Sequence, residues 1–307
     1  MRRARWLLEI ALFASLSFPI AVIPYTFAVK VGGVLGLLLF YVWGGRRRIA
    51  VENIRKTLQA GGLKTTAPPE AVAREGFVNL GRSFAEVVKI YFGFGSGILG
   101  NVEIRGIEHY RKAKSRNRGI MFITGHCGNW ELMALAFGAC EDRISTIARA
   151  QNNPYLNRIL EKARSRYGNR IIYKKGALKN ILSELKKNGV VGILMDQAVL
   201  KDEGYIIDFL GRGAWTTKMP ALIARKTGAA ILPAFISRDG DRHILSIHPE
   251  VQLAQTGDTE EALIEDTRRL SSFIEEYIRQ HPSEWLWIHR RWKRVEPSSF
   301  DTGEIDS

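Results

Sequence analysis

Cysteine is nearly missing from this sequence: Cys127 and Cys140 are the only two in 307 residues. That excludes a disulfide framework, and no CxxC step or Cys/His cluster has zinc-ligand spacing. The chain therefore carries no metal signature and suits a reducing compartment. Acidic residues are short as well, with 31 Asp and Glu against 45 Lys and Arg, for a net charge of +14 and a pI near 9.9. An excess of this sign predicts an anionic partner, either nucleic acid or a phospholipid surface. Helix-turn-helix, RRM and zinc-finger patterns are all lacking, which turns the choice away from nucleic acid. Internal repeats are also absent.

Charge itself is scarce at the N-terminus. After the basic "MRRAR", the stretch from Trp6 to Trp43 holds only Glu9 and Lys30 as charged residues. Ile10 to Val29 is uncharged over the roughly 20 residues that a bilayer-crossing helix needs. Pro19 and Pro24 are expected to kink it, and "VGGVLGLLLFYVW" extends the apolar region. "GGRRRIAVENIRK" follows, a cationic run of the kind that stays cytoplasmic. A cleaved signal peptide shares the basic start and apolar core. The region is too long for one, and it ends in Trp-Gly-Gly-Arg-Arg-Arg without a small-x-small site, so a retained anchor is favoured. One tilted helix and a re-entrant pair both fit the pattern. Gly32 and Gly36 make a small-xxx-small pair, read as close helix packing.

Residues 46 to 95 read as amphipathic helix. "EAVAREGFVNLGRSFAEVVKIYF" puts Val72, Phe77, Leu80, Phe84, Val87, Val88 and Tyr91 on one broad face, with Pro68 and Pro69 at the start. From about Asn101 the pattern alternates. "NVEIRG", "GIMFITG", "RISTIARA", "NRIIYKK", "VVGILMD", "AAILPAF" and "RHILSIHPEV" read as strands. Helices are expected between them, including "NWELMALAFGAC", "NPYLNRILEKARSRYG", "GALKNILSELKKNG" and "MPALIARKTG". Asp258 and Glu261 fit a capping box ahead of a last long helix. The fold class is α/β: a largely parallel or mixed sheet flanked by helices, behind an N-terminal membrane-anchoring helical segment. The tail "EPSSFDTGEIDS" has the polar composition of a disordered end.

Open α/β sheets bind ligands beyond the carboxyl ends of their strands. His126 follows "GIMFIT", Asp196 and Gln197 follow "VVGILM", and Arg149 follows "RISTIA". Parallel strands would gather all of them on one edge. His126 has the chemistry of a general base, since its ordinary pKa of about 6.5 leaves it largely neutral near pH 7. Glu131, with four residues between, falls in the first turn of the following helix. From there it is expected to fix the imidazole tautomer and stabilise the imidazolium. Backbone N–H groups around Gly128 and Asn129 are candidates for an oxyanion site. One His and one carboxylate are too few ligands for a metal. Cys127 reads as packing rather than nucleophile. A satisfied polar turn is the plain alternative for His126 and Glu131.

The ordered set "GHCGNWEL", "ARAQNNPYLNRILEKARSRYG", "MDQ", "DFLGRGAWTT", "AAILPAF" and "WLWIHRRWKR", behind an apolar N-terminus, resembles the bacterial lipid A biosynthesis acyltransferases. The H-x4-D/E motif alone is shared with glycerolipid acyltransferases; the whole ordered set is more specific. Cys127 stands where that family usually has an aromatic or aliphatic residue.

The resemblance implies a glycerolipid-acyltransferase-like fold and transfer of a fatty acyl group, without a cofactor, from an acyl carrier protein thioester or acyl-CoA. The acceptor would be a hydroxyl of a phosphorylated glycolipid, the lipid A precursor. His126 would deprotonate that hydroxyl, oriented by Glu131. Another membrane lipid, such as a phosphoinositide mannoside, is the alternative acceptor. Among the cations after His126, Arg164 is expected to line the site, with Arg166 next and Arg149 at the strand edge, gripping phosphate. Arg158 reads as a solvated helix face, and the Asn153–Pro154 step as loop-shaping. Asp196 would orient an arginine or the acceptor; Gln197 would bind sugar or simply close a turn.

In "DFLGRGAWTTKMP", Phe209 and Gly211 resemble the family's apolar-Gly loop. Thr216 and Thr217 there would contact acceptor or cap the next helix. Trp285, Trp287 and Trp292, interleaved with Arg and Lys, suit either a membrane interface or a final strand whose rings fill the core. His289 reads as structural. The expected organisation is a membrane anchor over 1–45, an amphipathic helical region over 46–100, an α/β acyltransferase domain over 101–295 and a polar tail over 296–307. The expected location is the bacterial inner membrane, with the catalytic domain on its cytoplasmic face.

Overall fold

The unbroken apolar run of Ile120–Thr124 is buried at every position, as a strand covered on both faces requires. The computed structural model describes residues 2–254, 257 and 259–295; Asp258 and the tail 296–307 lie outside them. Four helices come first: α1 (Arg2–Val22), α2 (Tyr25–Val42), α3 (Gly44–Gln59) and α4 (Pro69–Phe92). Then follow α5 (Ser96–Gly100), β1 (Val102–Arg105), α6 (Ile107–Lys114), β2 (Ile120–Thr124), α7 (Trp130–Cys140), β3 (Ile144–Ala148) and α8 (Pro154–Arg164). The chain continues through β4 (Arg170–Tyr173), α9 (Ala177–Lys186), β5 (Val190–Leu194), β6 (Gly204–Phe209), β7 (Arg212–Thr217), α10 (Met219–Thr227), β8 (Ala230–Asp239), β9 (Arg242–Ile247) and α11 (Glu260–Gln280).

Seven strands form one sheet in the order β1-β9-β8-β2-β5-β3-β4. Every pairing in it is parallel except β8 with β9. This is the mixed sheet flanked by helices that the sequence predicts. Alternate residues of β2 serve two cores. Met121 and Ile123 pack with residues of α9, α10 and α11 on one side, whereas Ile120 and Phe122 pack with α7 on the other. The antiparallel β6–β7 hairpin stands apart from this sheet. The hairpin is not expected from the sequence, because "GYIIDFLGRGAWTT" lacks clean alternation.

Of the two arrangements that fit the N-terminal apolar region, one helix or a pair, the chain forms two helices. Helix α1 runs through Pro19 and stops before Pro24, where α2 begins anew. The small-xxx-small pair does pack closely, against α4. A side chain added at Gly36 would meet the Phe77 carbonyl oxygen at 2.1 Å, and one at Gly32 the Gly81 carbonyl oxygen at 2.4 Å. Helix α4 is thus covered from more than one direction. Val72, Phe77 and Val88 are buried as expected, but so are Glu86 and Lys89, while Phe84 is exposed. The last long helix is capped by Thr259, whose hydroxyl oxygen accepts from the Ala262 N–H.

Candidate active site

Parallel pairing carries the geometry of the site. Thr124 of β2 stands opposite Leu194 of β5, so His126 and Asp196 each lie two residues beyond a matched position. The carboxylate against the imidazole is therefore Asp196. His126 Nδ1–H donates to Asp196 Oδ1 at 2.8 Å, and the His126 backbone N–H donates to Oδ2 at 2.9 Å. Trp285 Nε1–H donates to the same Oδ2 at 2.8 Å. Burial pushes the Asp196 carboxyl up, but the His126 charge and these donors outweigh it and hold Asp196 well below the ordinary carboxylate range. For His126, burial acts to lower the pKa; the charge and hydrogen bond of Asp196, then the charge of Glu131, overcome that and raise it above 6.5.

With Nδ1 committed to a carboxylate, the neutral ring keeps its lone pair on Nε2. The Gln197 amide nitrogen lies 3.2 Å from that atom. The Trp130 ring stands edge-on at a centroid distance of 5.0 Å. The loop is pinned from the C-terminal side: the Gly128 N–H donates to the Glu284 carbonyl oxygen at 2.8 Å, and the Leu286 N–H to the His126 carbonyl oxygen at 3.1 Å. Gly128 has φ +54°, and a Cβ there would come within 1.9 Å of the Ile236 carbonyl oxygen. Only glycine suits both conditions.

The expected Glu131 brace is corrected. Its Oε2 accepts from Arg164 Nε–H at 3.0 Å and from the Tyr91 hydroxyl at 3.1 Å, while Oε1 accepts from Arg164 Nη2. Glu131 thus holds Arg164 in a bidentate pair and reaches His126 through charge rather than a bond. The reason is local. The Asn129 side chain caps α7 by accepting from the Leu132 N–H, so Glu131 sits within the helix, where α8 presents Arg164. Burial would lower the Arg164 pKa, and Glu131 more than reverses that. The expected use of the Gly128 N–H as an oxyanion donor is also corrected, since Glu284 already accepts from it.

The remaining candidates separate. Gln197 lies at the imidazole. Arg149 follows β3 and is exposed. Arg166 is exposed and donates to the Ile90 carbonyl oxygen at 2.8 Å, in the last turn of α4. Gly211 sits in the β6–β7 turn with φ +78°, where a side chain would meet the Ala60 carbonyl oxygen at 2.6 Å; it serves packing against the end of α3. Thr216 is fully buried, accepting from Arg291 and donating to the Ala214 carbonyl oxygen at 3.1 Å. Neither Gly211 nor Thr216 reaches the imidazole, because the hairpin packs on α3 and α11 instead. Thr217 takes the capping part, its hydroxyl oxygen accepting from the Met219 N–H.

Trp285, Trp287 and Trp292 are all buried, which overturns the membrane-interface alternative in favour of the core. Asn153 caps α8, accepting from the Tyr155 and Leu156 N–H groups. Burial pushes the Cys127 thiol well above 9.0, in keeping with packing. His289 is lowered to about 4 by burial and stays neutral near pH 7. Two partners escaped the sequence reading, Trp285 on Asp196 and Tyr91 on Glu131. Both come from segments distant in sequence, and no local pattern marks them.

A family model described as bacterial lipid A biosynthesis acyltransferase matches residues 3–294. Similar proteins include a lipid A biosynthesis palmitoleoyltransferase of Escherichia coli, 26% identical over 274 residues that cover 88% of this chain and 86% of the relative. A lipid A biosynthesis lauroyltransferase of the same organism is 25% identical, with 88% and 87% covered. A phosphatidylinositol mannoside acyltransferase of Mycobacterium tuberculosis is 24% identical over 247 residues, with 78% and 77% covered.

Proposed function

The chain belongs to the bacterial lipid A biosynthesis acyltransferase family, and from that premise we propose that it moves a fatty acyl group from a thioester donor to a hydroxyl of a lipid A precursor, with His126 as general base. The carrying observation is the polarised imidazole. Asp196 takes Nδ1–H, Nε2 is left as the proton acceptor, and the ring lies at the strand edge where a substrate can approach. Asp196, rather than Glu131, orients the base.

In the reaction His126 Nε2 takes the acceptor's hydroxyl proton as the oxygen attacks the thioester carbonyl. The C–O bond forms, the C–S bond breaks, and the proton returns to the departing thiolate sulfur. Asp196 stabilises the imidazolium between those two moments. Gln197, close to Nε2, gives way to the acceptor hydroxyl or steadies it. Arg164, fixed by Glu131 and Tyr91, offers fixed positive charge near the base for a phosphorylated acceptor. The donor is an acyl carrier protein thioester or acyl-CoA; the basic surface suits the acidic character of either. On this reading the reaction runs at the inner membrane with the site facing the cytoplasm, a side that the basic run Arg46–Arg48 after α2 supports.

A second acceptor is favoured by one finding: the mannoside acyltransferase is nearly as similar as the lipid A enzymes. Purified protein given radiolabelled acyl carrier protein thioester with Kdo2-lipid IVA or with a phosphatidylinositol mannoside separates the two. Labelled lipid A precursor is expected. Transfer to the mannoside alone would reject the lipid A assignment; in a parallel reaction supplied with labelled acyl-CoA, transfer from acyl-CoA and none from the carrier protein would reject the carrier-protein donor.

A further inference from the structure

The catalytic body holds α1 near its two ends and α2 along its length. Near the start of α1, Asn153 at the head of α8 donates to the Trp6 carbonyl oxygen and to Glu9 Oε2, each at 3.0 Å. At its end, Lys89 of α4 donates to the Ala21 and Ile23 carbonyl oxygens at 2.7 and 2.6 Å. Those carbonyls are left over because the helix stops ahead of Pro24, and a cation there also suits the helix dipole. Between these ends Phe18 meets Phe92, and Ser17, Ile20 and Ala21 are buried. Helix α2 docks likewise. The Tyr25 hydroxyl donates to Glu86 at 2.8 Å, Ala28, Gly32 and Gly36 bury against α4, and Phe40 meets Phe77.

From Trp6 to Ile23 an α-helix rises about 25 Å at 1.5 Å per residue, most of the thickness of a hydrocarbon core. If α1 crossed a bilayer, Asn153 and Lys89 would have to flank that core, with α4 and α8 drawn into it. If α2 crossed, it would take the Glu75–Arg82 ion pair of α4 with it. Each charge placed mid-bilayer costs about 3 kcal/mol even on permissive insertion scales. Yet the faces turned away from the body are apolar. Leu8, Leu12 and Leu16 on α1 and Val31, Leu35 and Leu38 on α2 are exposed.

We propose that α1 and α2 do not span the membrane but lie along it, their outer faces sunk into an anionic phospholipid interface. The cations specify the occupant. Arg2 and Arg3 open α1, Lys30 sits on α2, and Arg46, Arg47 and Arg48 follow it. Several fold over aromatic rings: Arg2 over Trp6 at 5.5 Å, Lys30 over Phe27 at 5.9 Å, Arg46 over Trp43 at 5.7 Å. Ring and cation together suit the headgroup layer, where apolar and charged groups meet lipid at once. The inference extends the reading of a membrane-lipid acceptor, but neither arm of its test uses turnover, so the two can fail separately.

In full-length protein carrying Cys127→Ala and Cys140→Ser, single cysteines are introduced by Arg3→Cys, Val22→Cys or Val42→Cys, marking the ends of the two helices. Spheroplasts and inverted membrane vesicles are then treated with an impermeant maleimide. All three positions are expected to react from the same side. Reaction of Val22→Cys from the side opposite either of the others would overturn the proposal, because one helix then crosses. In the second arm, purified protein is floated with phosphatidylcholine vesicles containing or lacking phosphatidylglycerol. The variant Arg2→Gln/Arg3→Gln/Lys30→Gln is expected to lose affinity for the anionic vesicles on the order of a hundredfold, at about 1 kcal/mol per charge. Affinity unchanged in that variant, or equal for both vesicle types, would overturn the anionic occupant.

Discussion

Two histidine–carboxylate pairs at hydrogen-bond distance lie among the described residues, and they do different things. His126 meets Asp196 at 2.8 Å, and His243 meets Glu86 at 2.9 Å. The second pair is sealed: the side chains of His243 and Glu86 are 2% and 0% exposed, against 17% for His126. Glu86 also accepts from Arg238 at 2.7 and 2.8 Å, from Asn129 and from Tyr25, so it ties α2, α4, the α7 cap, β8 and β9 together. His243 Nδ1 is buried with no partner among the described residues. A short N–H···O contact to a carboxylate is therefore no mark of catalysis. What separates the pairs is whether the imidazole's other nitrogen can meet a substrate.

The largest break in that comparison is His126→Ala. Turnover is expected to fall by about 10³-fold or more, while circular dichroism and melting temperature stay close to the parent, since the ring is at the surface edge of the core. Full activity in the variant would remove His126 from the mechanism. Asp196→Asn comes next, at about a hundredfold. It carries a second signature, because Asp196 raises the His126 pKa and the base acts when neutral. Without the charge, the acid limb of the kcat/KM profile should move to lower pH. A limb that stays in place would mean that Asp196 does not tune the base.

Glu131→Gln sharpens the choice of brace. It should cost less than Asp196→Asn, and chiefly through acceptor binding, because Glu131 bonds Arg164 and not the imidazole. Arg164→Ala is expected to raise the KM for a phosphorylated acceptor about tenfold, the worth of one lost charge-assisted hydrogen bond, with a smaller change in kcat. If Glu131→Gln instead matched His126→Ala in kcat, the pairing seen in the structure would not be the one used in turnover.

Much of the framework was legible because buried parallel strands leave plain apolar runs and their helices leave amphipathic ones. That is how β2, β5 and the helices around them stand where the sequence puts them. Strand order was not legible, and with it went the choice between Glu131 and Asp196. Glu131 is near His126 in sequence; Asp196 is near it because β2 and β5 pair in register. Parallel pairing at Thr124–Leu194 would have pointed to Asp196 had neighbouring strands been known. Thr216 and Gly211 were misplaced for a related reason, since the β6–β7 hairpin packs by contacts with α3 and α11 that no local pattern announces. Trp285 combines both cases: its ring fills the core and its N–H holds Asp196.

The sealed pair gives the smallest effect on turnover and the clearest one on folding. Burial pushes the Glu86 carboxyl up, but hydrogen bonds from His243 and Arg238 outweigh it and lower its pKa from 4.5 to about 2. A carboxylate with a depressed folded-state pKa stabilises the fold fully above the unfolded value, and that contribution drains away as pH falls from 4.5 toward 2. Glu86→Gln leaves Arg238 without its buried counter-charge and should destabilise by about 3–5 kcal/mol at neutral pH, read by denaturant titration. The gap between parent and variant should narrow as pH drops through that window. Turnover per folded molecule should fall less than in Asp196→Asn, since Glu86 touches neither His126 nor Asp196 and reaches their loop only through the Asn129 side chain. A loss of kcat matching that of Asp196→Asn, in protein shown to be folded, would dissolve the distinction between the two pairs.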